Sequence, residues 1–293
     1  MNNERIAVIT DSGTDVTSAY AKAHNVHIVP LRICYSDGST FESGVDIQPA
    51  DIIKRFEQEI PTTSLPSPHR IQQTLDEVRK EGYTKAILIT IASKLSATYE
   101  TMQLVCNQMT DFETIVFDTR SIGMAAGLVV ARAVELIEAG TPFDELENNL
   151  QKYVTHTHVF FCAKTLDYVY KGGRINKALY RVSQVLNIKP ILTCDAEGAY
   201  TMTKKARGWQ RALDTLGELI EKYAAEYGPC RIAVCTSIVN DEIFEQFKTR
   251  FDANIAQLVD LFHVDITAEL LVHTGPELVG VAIQKAFDKE HEA

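Results

Sequence analysis

The stretch KAILITIASKLSATYETM, residues 85–102, places a short apolar run directly before a hydroxyl-rich loop and a helix. The run at 85–92 has the length and β-branched content of a buried strand, and helical periodicity begins at about residue 97. The same order of strand and helix occurs over 6–24 and 113–140. This alternation predicts an α/β protein whose parallel sheet carries helices on both faces.

The rest of the chain predicts further elements around this sheet. An SDG turn indicates a hairpin within 27–41, and amphipathic helices are expected at 49–58, 68–82 and 141–156. Beyond them, strands are expected at 158–163, 188–193 and 231–237, a hairpin over 195–205, and helices at about 208–227 and 241–252. We therefore predict two α/β domains, 1–156 and 157–293, which should pack closely because no Pro/Gly/Ser linker separates them.

Composition limits the classes of function. The chain has 293 residues, is 45% hydrophobic and carries a net charge of −10, which argues against binding to nucleic acid or to an anionic membrane. Its start lacks the features of a signal peptide, and no apolar run reaches the ~18 residues of a membrane span. The six cysteines form no CxxC pair and favour buried thiols over metal ligands. We expect a cytoplasmic protein without stable membrane insertion.

Polar segments follow the predicted strands at 10–15, 92–98 and 118–121, and TTSLPSP at 62–68 should lie near them. In open α/β sheets, loops at the carboxyl ends of strands line the ligand crevice. Each Ser or Thr here is interpreted either as a helix N-cap or as a donor in a neutral pocket for a carboxylate or phosphate. The clustering of these residues favours the pocket.

Several catalytic signatures are absent from the sequence. It contains no Walker A, GxGxxG, HExxH or GxSxG pattern, so no cofactor, metal or exposed nucleophile is predicted. Asp11 is interpreted as a loop organiser, and His273 either as a core or turn residue or as one more donor. This pattern favours binding over turnover. The alternative is a hydrolase or phosphotransferase acting on a small anionic substrate with Asp11 and either Ser96 or His273.

Eight segments in one order resemble the DegV family. They are ITDSGTD, TTSLPSP, ASKLSATY, FDTRS, KGGRI, IKPIL, KKARGWQRAL and HTGPELVGVA, and they span nearly the whole chain. The resemblance implies a two-domain α/β fold that encloses one long-chain fatty acid in an apolar tunnel between the domains. It further implies a carrier that is not catalytic alone and that presents its ligand to an ATP-dependent fatty acid kinase for acyl-phosphate formation.

The resemblance also assigns roles to residues of this chain. The fatty acid carboxyl group would be held by Thr62, Thr63, Ser64, Ser93, Ser96, Thr98 and His273. Arg174 and Arg207 would contact the phosphate of the acyl phosphate or the kinase. Without the resemblance, the GGR sequence is equally consistent with Arg174 being a solvated side chain after a helix C-cap. Two positions depart from the family pattern: Ala97 replaces a usual glycine, and Glu277 replaces a small residue and is expected to point away from the carboxyl site.

Overall fold

A computed structural model of the chain describes residues 2–237 and 240–287. The strands are β1 (Ile6–Asp11), β2 (Val26–Val29), β3 (Arg32–Cys34), β4 (Thr40–Glu42), β5 (Thr62–Ser64), β6 (Lys85–Thr90), β7 (Glu113–Asp118), β8 (Thr157–Ala163), β9 (Ile188–Cys194), β10 (Tyr200–Arg207), β11 (Cys230–Thr236), β12 (Leu258–Asp265) and β13 (Leu278–Lys285). The helices are α1 (Ser18–His24), α2 (Pro49–Arg55), α3 (Pro68–Lys80), α4 (Thr98–Cys106), α5 (Gly123–Glu138), α6 (Leu146–Val154), α7 (Asp167–Lys171), α8 (Lys177–Ser183), α9 (Trp209–Tyr227), α10 (Asp241–Asn254) and α11 (Ala268–Thr274).

The first sheet is parallel and has the strand order β2-β1-β6-β7. The central strands β1 and β6 are apolar and almost wholly buried, because helices cover both faces of the sheet. Side chains of α5 and α6 pack on one face, and those of α3 and α4 pack on the other. The predicted parallel sheet with helices on both faces is confirmed.

A small antiparallel sheet with the order β4-β3-β5 lies beside the first sheet. The predicted SDG hairpin forms β3 and β4, with Arg32 opposite Glu42. The TTS segment, for which the sequence analysis predicts no strand, forms β5 and pairs with β3, so that Thr63 lies opposite Ile33. This pairing fixes the backbone of the hydroxyl-rich segment.

The second sheet is mixed and has the order β10-β9-β8-β13-β11-β12. Helices α9 and α10 cover one face, whereas α5 and α11 contribute to the core on the other. Helix α5 therefore packs against both large sheets: its Ala126 belongs to the core beneath the second sheet and its Val130 to the core beneath the first. The first strand of the second sheet begins at Thr157, and a domain boundary after residue 156 stays a prediction.

Glycine in α5 allows a close contact with the loop after β1. A Cβ atom on Gly127 would lie 2.5 Å from the carbonyl oxygen of Thr14, in the 3-10 turn Ser12–Thr14. No larger residue fits unless the helix or the turn moves. The contact holds the loop after β1 against the helix that both sheets share.

Three general properties of the described part of the chain bear on function. None of its helices is both long enough and apolar enough to cross a membrane. No group of three or more His, Cys, Asp or Glu side chains within residues 2–237 and 240–287 is placed to hold a metal ion. All six cysteines are free thiols, four of them buried and two, Cys34 and Cys194, half-buried.

Candidate functional site

A cavity of about 210 Å³ lies where β5, the loop after β6, the turn after α7 and helix α11 meet. Both halves of the chain contribute to its wall. The lining residues are Leu31, Thr63, Ser64, Leu65, Ile91, Leu95, Ser96, Ala97, Ile122, Arg174, Tyr200, Glu269, Leu270, His273 and Thr274. Hydroxyl groups, an imidazole, a guanidinium group and a carboxyl group thus share the cavity wall with seven apolar side chains.

Two side-chain hydrogen bonds position polar groups of the cavity wall. Thr63 Oγ1 lies 2.7 Å from His273 Nε2, which joins the small sheet to α11. Ser96 Oγ lies 2.8 Å from Oγ1 of Thr98, the first residue of α4. Thr98 is fully buried and does not line the cavity, so its contact with Ser96 positions that hydroxyl.

The imidazole of His273 is neutral over the physiological range. Burial and, to a smaller extent, the nearby charge of Arg174 lower its pKa to about 3. Its Nδ1 atom is buried and has no hydrogen-bond partner within the described residues. A buried N–H without an acceptor costs about 1–3 kcal/mol, so the proton is better placed on Nε2, which faces Thr63 Oγ1.

Arg174 is the cationic side chain in the cavity wall. Its Nε and Nη2 atoms donate to the carbonyl oxygen of Leu95 at 3.3 and 3.2 Å, and Nη1 donates to that of Gly172 at 2.6 Å. Burial lowers its pKa, although the side chain remains a cation. The guanidinium group therefore links the turn after α7 to the loop that carries Ser96.

The carboxyl group of Glu269 was missed by the sequence analysis. It is 2% exposed, lines the cavity and accepts hydrogen bonds from the hydroxyl groups of Ser12 and Ser43. Ser12 Oγ in turn accepts from the backbone N–H of Leu31 at 3.0 Å. Burial raises the pKa of Glu269. An acidic residue four positions before His273, in an otherwise apolar helix, was the available signal.

Two further buried carboxyl groups organise the loop after β1. Asp11 accepts from the backbone N–H groups of Gly13 and Ile91, both at 2.9 Å, and it does not line the cavity. Both carboxylate oxygens of Asp11 thus accept a hydrogen bond from the backbone, which supports its interpretation as a loop organiser. Asp15 accepts from the N–H and hydroxyl of Thr267 at 2.8 and 3.0 Å. Burial raises the pKa of Asp11 to about 7 and that of Asp15 to about 8.

The predicted site residues divide into three groups. Thr63, Ser64, Ser96, His273 and Arg174 all line the cavity. Thr62, Ser93 and Thr98 do not line it: Thr62 donates to the carbonyl of Cys34, the Ser93 N–H donates to Asp118, and Thr98 supports Ser96. Arg207 is exposed at the end of β10 and lies away from the cavity wall.

A second, smaller cavity of about 30 Å³ adjoins the first. Both cavities are lined by Ile122, Tyr200, Leu270 and Thr274, which therefore lie between them. The far wall of the second cavity is mainly apolar and includes Val159, Phe161, Leu278 and Gly280 of the second sheet. The apolar part of the site thus extends from the hydroxyl cluster towards the second sheet.

The two departures from the family pattern occupy different places. Ala97 lines the cavity, and its φ of −75° shows that the backbone there does not need glycine. Glu277 is exposed and forms an ion pair with Lys164, and it does not line the cavity. Repulsion between its carboxylate and an anion in the cavity therefore does not arise by direct contact.

The fold and the cavity define an α/β protein with two large sheets and one small one, whose site is built from both halves of the chain. Residues 5–286 match the model of a family described as uncharacterised proteins of the DegV family. A DegV domain-containing protein of Clostridium perfringens is 36% identical over 282 residues, which cover 96% of this chain and 99% of the relative. The chain belongs to the DegV family.

Solved structures agree with this assignment. A DegV family protein from Thermus thermophilus, described by its fatty acid binding, has a TM-score of 0.88 at 25% identity, covering 98% of this chain and 100% of its own. A fatty acid binding DegV family protein from Streptococcus agalactiae has a TM-score of 0.85 at 25% identity. The match covers 96% of this chain and 99% of the Streptococcus agalactiae chain. The two-domain organisation implied by the resemblance stays a prediction, whereas the DegV-like fold is established.

Proposed function

We propose that this protein binds one long-chain fatty acid, with the carboxyl group at the hydroxyl cluster and the acyl chain along the apolar wall. The observation that carries the proposal is the cavity itself, where Thr63, Ser96 and His273 face a wall of leucine and isoleucine side chains. The similar proteins from Thermus thermophilus and Streptococcus agalactiae, both described as binding fatty acids, support the same ligand class.

The polar end of the cavity suits a carboxylate held by neutral donors. Thr63 and Ser96 offer hydroxyl hydrogens, and the neutral His273 orients Thr63. Arg174 adds a positive charge that is already bonded to two carbonyl oxygens. A strong ion pair is not required, because burying about fifteen methylenes at about 0.8 kcal/mol each supplies most of the binding free energy.

The acyl chain would run from the larger cavity into the smaller one. Its path passes Ile122, Tyr200 and Leu270, which line both cavities and would have to shift to admit a continuous chain. Beyond them, Phe161 and Gly280 provide an apolar end wall. The order of these surfaces, from hydroxyl groups to aromatic and aliphatic side chains, matches the polarity of a fatty acid.

Lipid retained by the purified protein tests this proposal. We expect organic extraction of the protein, expressed in bacteria and washed extensively, to release about one fatty acid per chain by mass spectrometry. Serum albumin treatment should remove the lipid, and added stearate should restore the one-to-one ratio. An empty protein that does not take up stearate would contradict the function, and turnover of a phosphoester by the isolated chain would favour the hydrolase or phosphotransferase instead.

Presentation of the bound acid to a fatty acid kinase is the second part of the proposal. The segment 168–194 contains five basic residues and no acidic one, in a chain whose net charge is −10. Arg207 lies beside this segment, since it is the register partner of Ile188 in the β9–β10 pair. The basic residues of the segment are Lys171, Arg174, Lys177, Arg181 and Lys189. Lys171, Lys177 and Arg181 are exposed, as is Arg207, and these cations would suit an acidic face of a kinase partner.

Arg207→Ala is expected to separate docking from binding. Because Arg207 is exposed and lies outside the cavity wall, stearate affinity should stay within about twofold, whereas acyl-phosphate formation with the kinase should fall by about tenfold. The rate should also lose part of its salt dependence. Lys22→Ala, which removes an exposed cation on α1, serves as the control. Equal rates for all three proteins would exclude Arg207 from docking.

A further inference from the structure

Gly172 packs directly against His273. It follows the last residue of α7, and its φ of −68° is an ordinary helical value that any residue can adopt. A Cβ atom at this position would lie 2.3 Å from His273 Nδ1 and 3.0 Å from Cε1. The position therefore requires glycine for space around the imidazole and not for backbone conformation.

The contact determines the surroundings of each imidazole nitrogen. The hydrogen of Gly172 that a Cβ would replace points at Nδ1, which is buried and has no partner within the described residues. There is no room on that side for a water molecule or an acceptor. Nε2, by contrast, lies 2.7 Å from Thr63 Oγ1. An acceptor-free Nδ1 places the imidazole proton on Nε2.

We propose that Gly172 is a positioning residue, which keeps the His273 proton on Nε2 and thereby makes Thr63 the hydroxyl that donates to the bound carboxylate. With Nε2–H donating to Thr63 Oγ1, the Thr63 hydroxyl hydrogen is free to point into the cavity. No proton is transferred in this arrangement. The inference rests on the proposed function, and it identifies the groups that recognise the carboxyl group of the ligand.

The contact of Gly172 with Arg174 supports the same role. The carbonyl oxygen of Gly172 accepts from Arg174 Nη1 at 2.6 Å, while the other guanidinium nitrogens bond Leu95. The one residue thus touches both the imidazole and the cation of the cavity wall. A side chain at this position would displace His273 from Thr63, and the Thr63 hydroxyl could then turn towards the vacated space instead of the ligand.

A double-mutant cycle with stearate as the probe tests the proposal. By isothermal titration, Gly172→Ala and His273→Ala should each weaken binding by about tenfold, whereas adding Gly172→Ala to His273→Ala should change the affinity by less than about twofold. Gly173→Asn is the control, because that position has a φ of +75°, which asparagine tolerates, and open space around it. Normal binding by Gly172→Ala, or an equal loss in both backgrounds, would overturn the proposal.

The protonation state of the wild-type imidazole gives an independent readout. In ¹⁵N NMR of the histidine-labelled protein, the signals lost in His273→Ala should be those of a neutral ring with its proton on Nε2. A proton on Nδ1 would overturn the proposal even if the glycine variant fails to fold. If the wild-type protein does not bind stearate, the proposed function fails, and the NMR result still decides the state of His273.

Discussion

Raising the pH from about 5 to about 9 is expected to lower the free energy of unfolding by several kcal/mol, and Asp15→Asn should remove much of this loss. Asp15 is 2% exposed and has a pKa of about 8, because burial disfavours its charged form. Asp11 is fully buried and has a pKa of about 7 for the same reason. The ordinary value for both is 3.8.

The sign follows from where the protons are held. Between the ordinary pKa and the raised one, the folded protein keeps a proton that the unfolded chain has lost, so every rise in pH favours unfolding. The loss from Asp15 begins above about pH 4 and is complete once the pH passes about 8. Each such carboxyl contributes at most about 1.4 kcal/mol per pH unit within its window.

Urea unfolding measured at several pH values from 5 to 9 provides the test. Asparagine mimics the protonated carboxyl, keeps an acceptor for Thr267 and tolerates the φ of +54° at Asp15. The free energy of unfolding of the variant should therefore rise relative to that of the wild type as the pH increases. Asp144→Asn, at an exposed position, should follow the wild type. Parallel curves for Asp15→Asn and the wild type would contradict the raised pKa.

Glu269→Ala is expected to cost about 3–5 kcal/mol of unfolding free energy. The substitution removes the acceptor of the Ser12 and Ser43 hydroxyls, which are 6% and 2% exposed, and leaves a void beside the cavity. It also separates α11 from the loops after β1 and β4. Glu269→Gln should cost less than about 1 kcal/mol, since an amide can accept from one serine and donate to the other.

Chemical denaturation of the two variants at pH 6 compares these losses directly. A large difference between the alanine and glutamine variants indicates that the hydrogen bonds stabilise the junction between the first sheet and α11. If Glu269→Ala unfolds at the same urea concentration as the wild type, the serine hydroxyls must find other partners, and the assigned role of Glu269 is wrong.

The fold was predictable because its signals are local. Continuous β-branched runs such as 85–92 predict buried parallel strands, and the hairpin of β3 and β4 follows from its SDG turn. The TTS segment at 62–64 was missed as a strand, because three polar residues carry no hydrophobic alternation. Pairing with β3, and not propensity, makes it β5.

The candidate site was predictable only in part. Thr63, Ser96 and His273 were found because the motifs that resemble the family contain them, and all three line the cavity. Thr62 was grouped with Thr63, but its hydroxyl donates to the carbonyl oxygen of Cys34, and Thr62 lies outside the cavity. Glu269 was missed because its partners Ser12 and Ser43 are more than 200 residues away.

The position of α5 between the two large sheets has a consequence for synthesis of the protein. Translation completes α5 before any strand of the second sheet has left the ribosome. Until then, its Ala125, Ala126 and Leu128, which are buried in the finished protein, have no second sheet to cover them. The nascent first half therefore exposes apolar surface that favours aggregation. We expect it to depend on chaperones until the remaining half emerges.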